Sequence, residues 1–123
     1  MTDISKLIGK TITKIDGLSE GSEDVTFHTA EGTLTLYHNQ DCCESVSVEE
    51  YHGDPGWLIG SPVLTAEERV SDNEHSTKAY DSATWTFYEL ATNKGSVTIR
   101  WLGTSNGYYS ECVDVEWKEL SPD

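Results

Sequence analysis

Residues 84–102 read TWTFYELATNKGSVTIRWL, two runs rich in aromatic and β-branched residues on either side of Asn93-Lys94-Gly95. Residues of this kind favour strands, and the Asn-Lys-Gly segment supplies the chemistry of a turn. The stretch therefore predicts two antiparallel strands, over residues 84–91 and 96–102. Because side chains alternate between the faces of a strand, we expect the second strand to bury three residues: Val97, Ile99 and Trp101.

A third strand is predicted beyond a second turn signal, Ser105-Asn106-Gly107. It covers residues 108–117 and carries Val113, Val115 and Trp117 on one face. Because an Asn-Gly pair favours positive φ and tight hairpins, we expect the last three strands to form a meander within one sheet.

The same two-residue period recurs toward the N-terminus. It begins at Thr11 and marks two strands joined by a Glu31-Gly32 turn, whose inward residues are Val25, Phe27, Thr29, Leu34 and Leu36. Two more strands are predicted over residues 45–51 and 63–70, and the Gly- and Pro-rich residues 53–62 predict a loop between them.

Two shorter features complete the outline of the chain. Thr2 or Asp3 can cap a short helix, ended by Gly9, with a buried face formed by Ile4, Leu7 and Ile8. Leu58 and Ile59 are the apolar residues of the predicted loop, and we expect them to pack onto the core.

The predicted fold class is mainly β: a single-domain antiparallel sandwich or rolled sheet of about eight strands with a short N-terminal helix. A chain of 123 residues has room for one domain with a modest core. Residues 71–83 are polar and lack periodicity, so we expect an irregular excursion there. No signal-peptide pattern and no apolar run near ~20 residues is present, which predicts a cytosolic protein.

The charge distribution argues against direct nucleic-acid binding and favours a basic protein partner. The net charge is −14, and fourteen acids lie between Asp16 and Glu74, an interval in which Arg69 is the sole Lys or Arg. Neighbouring pairs of glutamates are read more simply as a solvated surface than as catalytic acids. The carboxylates predicted to bind the partner are Glu49, Glu50, Asp54, Glu67 and Glu68.

The segment from His38 to Glu44 predicts a metal site. It holds an imidazole, two thiols and two carboxylates within seven residues, between two predicted strands. Thiolate and imidazole are the usual ligands of zinc. By strand alternation, His38 shares the inward face of Leu34 and Leu36, and Cys42 would share a face with Glu44, Val46 and Val48.

We therefore expect one structural zinc bound by His38, Cys42 and Cys43. His38 and Cys42 are the best-placed ligands, and five residues could complete the set: Cys43 first, then Asp41, Glu44, His52 and Cys112, although Cys112 lies opposite the predicted inward face of its strand. The alternative is that Cys42 is a small buried residue and His38 a hydrogen-bonded histidine. Three cysteines, two of them adjacent, make a poor disulfide framework, so reduced or metal-bound thiols are expected.

Enzyme signatures are missing from the sequence. It has no H-E-x-x-H, no Gly-rich phosphate loop and no nucleophile elbow. We expect a protein without catalytic activity, with a metal-dependent hydrolase using the 38–44 loop as the competing enzymatic interpretation.

Two motifs carry a resemblance to a known family: YHNQDCCE at residues 37–44 and TSNGYYSE at residues 104–111, supported by LIGSP at 58–62 and TWTFY at 84–88. Together they resemble a family of small phage and prophage proteins over residues 12–116. Relatives tend to carry Ser where Cys112 stands.

The resemblance implies a phage protein acting in the host cytoplasm. Small acidic phage proteins without enzyme motifs are often inhibitors of host defence, and anti-CRISPR proteins that block Cas9 are similar in size and charge. We therefore expect an anti-CRISPR protein that binds a basic surface of a Cas9-type nuclease and blocks nucleic-acid loading or activity. The alternative within the same resemblance is a structural or housekeeping phage protein.

Overall fold

Eight strands form two antiparallel sheets in the computed structural model, which describes residues 3–39, 44–72, 82–105 and 111–119. Sheet 1 has the order β1-β2-β3-β8 and sheet 2 the order β4-β7-β6-β5. The strands are β1 (Ile12–Asp16), β2 (Asp24–Thr29), β3 (Gly32–Tyr37), β4 (Ser45–His52), β5 (Thr65–Asp72), β6 (Ser82–Thr92), β7 (Gly95–Ser105) and β8 (Asp114–Glu119). The predicted mainly-β sandwich is confirmed.

The core lies between the two sheets and follows the alternation of the strands. Each sheet contributes inward residues that are fully buried, Phe27, Leu34 and Leu36 from sheet 1 and Val97, Ile99 and Trp101 from sheet 2. The outward residues of the same strands are only partly buried or exposed, which is the pattern of an antiparallel sandwich. The inward faces predicted from the sequence are therefore confirmed.

The β6–β7 hairpin is present with the predicted turn, and its closing pair is Thr92 and Gly95. The predicted meander of the last three strands is wrong. β8 begins at Asp114 and pairs with β3 in sheet 1, while the free side of β7 is taken by β4. Alternation fixes which face of a strand is buried, but it does not identify the neighbouring strand.

The predicted N-terminal helix is a 3₁₀ turn, η1 (Ile4–Leu7), capped by the Asp3 side chain, which accepts from the Ser5 backbone N–H at 2.9 Å. Ile4 and Leu7 are buried, but Ile8 is 48 % exposed, so its predicted burial is wrong. The reason is the helix type, because residues three apart share a face when a turn contains three residues.

The predicted loop and the strands on either side of it are present with shifted bounds. The 53–62 loop contains a second 3₁₀ turn, η2 (Pro55–Leu58), and Leu58 is fully buried as expected. β5 runs from Thr65 to Asp72 rather than over residues 63–70. Of the predicted excursion, residues 73–81 lie outside the described residues, and its flanks belong to β5 and β6. Within the described ranges, no helix is long and apolar enough to cross a membrane.

One end of the sandwich gathers the ends of strands from both sheets. β3 and β7 end there, and β4, β6 and β8 begin there, as the pairs Tyr37 with Asp114 and Ser45 with Thr104 require. We call it the motif end, because residues 37–44 and 104–111 flank these strand termini.

Candidate functional site

A buried histidine lies at the centre of the motif end. The His38 side chain is 4 % exposed, and its Nδ1 lies 2.8 Å from the backbone carbonyl oxygen of Cys112. Its Nε2 lies 2.9 Å from Oε2 of Glu44, whose side chain is 2 % exposed. A carbonyl oxygen can only accept, so Nδ1 carries a hydrogen and donates it to Cys112. The structure therefore fixes the tautomer of His38 and confirms the predicted inward position of both side chains.

The contact between His38 and Glu44 carries one shared proton. Either an imidazolium donates to a carboxylate, or a carboxylic acid donates to a neutral imidazole, and the pair is neutral in both cases. Removing one member would leave the other buried without its partner, which is costly for a group almost fully removed from water.

A second buried carboxylate lies at the same end. Glu111 is 7 % exposed. Its Oε1 accepts from the Thr84 hydroxyl at 2.7 Å, and its Oε2 accepts from the Ser105 hydroxyl at 2.6 Å. This contact requires Gly103, because an added Cβ there would lie 2.8 Å from the Glu111 Cβ. Two strands of sheet 2 thus hold the segment that leads into β8.

The two sequence motifs meet in this cluster. The first supplies His38 and Glu44, the second supplies Ser105 and Glu111, and the residue after Glu111 provides the carbonyl that orients His38. We refer to the motif-end cluster as His38, Glu44, Thr84, Ser105 and Glu111. Sequence reasoning missed Glu111, although it has the same parity as Val113, which was assigned to the inward face.

The predicted metal ligands are only partly described. Cys42 and Cys43, with Asp41, lie outside the described residues. Cys112 precedes β8 and is exposed, in keeping with its predicted position opposite the inward face. His52 lies seven residues along β4 from Ser45, roughly 24 Å at about 3.4 Å per residue, so it is too far to share a metal ion with His38. Among the described residues, no group of three or more His, Cys, Asp or Glu is placed to hold a metal ion.

The chemistry at His38 nevertheless fits zinc. A metal-bound histidine commonly donates its second ring N–H to a carbonyl or carboxylate, which fixes the ring and directs the other nitrogen to the ion. His38 has this arrangement, with Nδ1 held by Cys112 and Nε2 facing the Glu44 carboxylate. Nitrogen and carboxylate oxygen are both ordinary zinc donors.

The five carboxylates predicted to bind a partner are divided between opposite edges of sheet 2. Glu49 and Glu50 lie on β4, whereas Glu67 and Glu68 lie on β5. Three of the five are engaged within the protein. Glu50 pairs with Arg100 and with His52, Asp54 caps η2, and Glu68 accepts from the buried Tyr88 hydroxyl at 2.8 Å.

A continuous acidic stretch borders β4. The Gly21 backbone N–H donates to the Val48 carbonyl at 2.7 Å, and the Val48 N–H donates to the Ser22 carbonyl at 2.8 Å. These bonds lay the segment before β2 along the strand, beside Glu49. The exposed side chains that result, here called the β4-edge carboxylates, are Glu20, Glu23, Asp24 and Glu49. None of them forms an ion pair with another described residue.

Comparison with known proteins identifies the family. A model described as a domain of unknown function, DUF7448, matches residues 5–115, so the chain belongs to this family. The match includes both motifs and the whole motif-end cluster. No curated protein and no solved structure matched the chain.

Proposed function

We propose that this member of the DUF7448 family is a non-enzymatic inhibitor that docks its β4-edge carboxylates on a basic partner protein. The partner we propose is a Cas9-type nuclease of a bacterial defence system, bound in the host cytoplasm, so that nucleic-acid loading or activity is blocked. The resemblance of both motifs to phage proteins supports a defence target, and the charge of the chain supports a basic one.

The observation that carries the proposal is the exposed acidic stretch beside β4. Glu49 lies on β4, and Glu20, Glu23 and Asp24 belong to or flank the segment that bonds to it. These four exposed carboxylates form no ion pair with another described residue. Such a surface attracts basic partners from a distance and speeds association. RNA-guided nucleases hold nucleic acid in positively charged channels, which offer the complementary surface.

The motif end has a structural role in this proposal. A zinc ion held by His38 with Cys42 and Cys43 would fasten the end of β3 to the start of β4, and thus sheet 1 to sheet 2. With a fourth ligand closing the site, a bound ion would supply folding free energy and leave no open position for catalysis.

The test compares two charge-reversal variants that change the net charge equally. Glu20→Lys with Glu49→Lys alters the β4 edge, and Glu116→Lys with Glu119→Lys alters exposed residues of β8, an edge strand of sheet 1. Association with a purified Cas9-type nuclease is followed at low and moderate salt. We expect the first variant to lower the association rate by about ten-fold or more at low salt, and the second to change it far less.

Three outcomes would contradict the proposal. No binding by the parent protein at either salt concentration would favour a structural or housekeeping role. Equal effects of both variants would mean that net charge matters and the β4 edge does not. Metal-dependent turnover that His38→Ala abolishes would favour the hydrolase.

A further inference from the structure

We propose that Glu44 is a zinc ligand, binding through Oε2 beside Nε2 of His38. The inference rests on the zinc site of the proposed function and adds to it a ligand that alternation alone left open among five candidates. It concerns Glu44 and its geometry, and not the thiols of Cys42 and Cys43.

His38 can bind a metal ion through only one of its two ring nitrogens. Its Nδ1 donates to the Cys112 carbonyl, so a metal ion can be bound only at Nε2. The atom that faces Nε2 is Oε2 of Glu44, at 2.9 Å. Any ion held by His38 therefore replaces this hydrogen bond and lies against the Glu44 carboxylate.

The distance between Nε2 of His38 and Oε2 of Glu44 can be compared with that between two ligands of one zinc ion. Zinc lies about 2.0–2.2 Å from nitrogen and carboxylate oxygen ligands, so two ligands of one tetrahedral ion are roughly 3.3 Å apart. The observed 2.9 Å is a few tenths of an ångström shorter, and the oxygen would also have to move off the hydrogen-bond line so that the ion can take the Nε2 lone pair.

The side chains of His38 and Glu44 are both buried, which has a cost for a carboxylate. The two side chains are 4 % and 2 % exposed, so a carboxylate here has lost its hydration and needs a cation or hydrogen-bond donors. A zinc ion would supply such a cation and leave the orienting bond to Cys112 intact. The second motif contributes to the site indirectly. The two hydrogen bonds to Glu111 hold the next residue in place, and the carbonyl of that residue, Cys112, orients His38.

The test uses cobalt as a spectroscopic substitute for zinc. Full-length protein purified without a metal-affinity tag is stripped of metal and titrated with Co²⁺, and zinc affinity is measured by competition. The variants are Glu44→Gln, which keeps a hydrogen-bonding side chain of the same size, and Glu44→His, which keeps a metal-binding one. Glu20→Gln is the control, because Glu20 is exposed on the β4 edge.

We expect Glu44→Gln to weaken zinc binding at least ten-fold and to change the visible absorption bands of bound cobalt. Glu44→His should recover affinity with a third spectrum, which shows that the variant folds, and Glu20→Gln should match the parent. Unchanged affinity and spectrum in Glu44→Gln would overturn the role of Glu44 while the zinc site stands. A parent protein that binds neither metal would overturn both, and nuclease binding is measured separately.

Discussion

At the residue scale, three inward polar side chains show how hydrogen bonds offset the cost of burying polar groups in this sandwich. Glu111 accepts hydrogen bonds from two hydroxyl groups, and Glu44 is hydrogen-bonded to His38. Tyr88 is fully buried, and its hydroxyl donates to Glu68 at the protein surface. Hydrogen bonds to charged groups contribute more than neutral ones, about 1.5–3 kcal/mol each, so these contacts offset much of the cost of desolvation.

The Tyr88 hydroxyl gives a prediction for alkaline pH. Burial, with the hydrogen bond to Glu68 adding to it, raises the pKa of Tyr88 above its ordinary value of 10.0. The folded state therefore keeps the phenol neutral while the unfolded chain ionises near pH 10. The stability that depends on the neutral form is complete below pH 10 and is lost as the pH rises, by about 1.4 kcal/mol per pH unit.

Urea unfolding of the parent and of Tyr88→Phe at pH 9, 10 and 11 measures this effect. Phe has no ionisable group, so the variant should lose less stability than the parent between pH 10 and 11. Lysines and the other tyrosines titrate in both proteins and cancel in the comparison. Parallel pH profiles would show that Tyr88 ionises equally in the folded and unfolded states.

Alternation at this scale was sufficient to place His38 and Glu44 on the inward face, because each continues the parity of buried neighbours. It could not supply their partners. The carbonyl that orients His38 is 74 residues away in the chain, and the hydroxyls of Thr84 and Ser105 come together near Glu111 only when β6 and β7 have paired. Hydrogen-bond partners of this kind depend on tertiary structure and leave no local pattern.

Among the elements, the crossing from β7 to β8 organises the motif end. The chain leaves sheet 2 at Ser105 and enters sheet 1 at Asp114, and Glu111 lies across the end of β7. The sequence predicted both strands and their inward faces, yet assigned them to one sheet. Turn residues such as Ser105-Asn106-Gly107 favour a hairpin locally, and the competing pairing of β4 with β7 is a long-range contact that they do not reveal.

Gly103 provides a test of that crossing. An added Cβ would overlap the Glu111 backbone and lie 2.8 Å from its Cβ, so Gly103→Ala must displace the segment that leads into β8. We expect a loss of about 2 kcal/mol or more in the free energy of unfolding, within the range of overpacking effects. Zinc affinity should also fall, because the Cys112 carbonyl moves with Glu111.

The control is Gly56→Ala in η2, where the nearest contact of an added Cβ is a side-chain oxygen of Asp54 at 3.3 Å. That variant should stay within about 1 kcal/mol of the parent. Denaturant unfolding measures both, and a Gly103→Ala protein as stable as the Gly56→Ala control would mean that the Glu111 segment can shift freely.

Over the whole molecule, the net negative charge destabilises the compact state, whereas the contacts at the motif end stabilise it. A net charge of −14 makes the folded state repel itself, and a domain of this size has a small core to set against that repulsion. The His38–Glu44 contact joins the end of β3 in sheet 1 to the start of β4 in sheet 2. A zinc ion at this point would add positive charge to an acidic protein and connect the two layers.

Chelation should therefore lower the melting temperature of the zinc-bound protein. Structural zinc contributes several kcal/mol to folding, and 1 kcal/mol corresponds to roughly 3–6 °C in a domain of this length, so a decrease of about 10 °C or more is expected. His38→Ala should already melt at a lower temperature and show no further effect of the chelator, because its site is incomplete. The measurement needs protein whose zinc content is first established by elemental analysis, since a chelator cannot act on a site that holds no ion. A fully zinc-loaded parent whose melting temperature is unaffected by chelation that removes the metal would show that the ion does not hold the two sheets together.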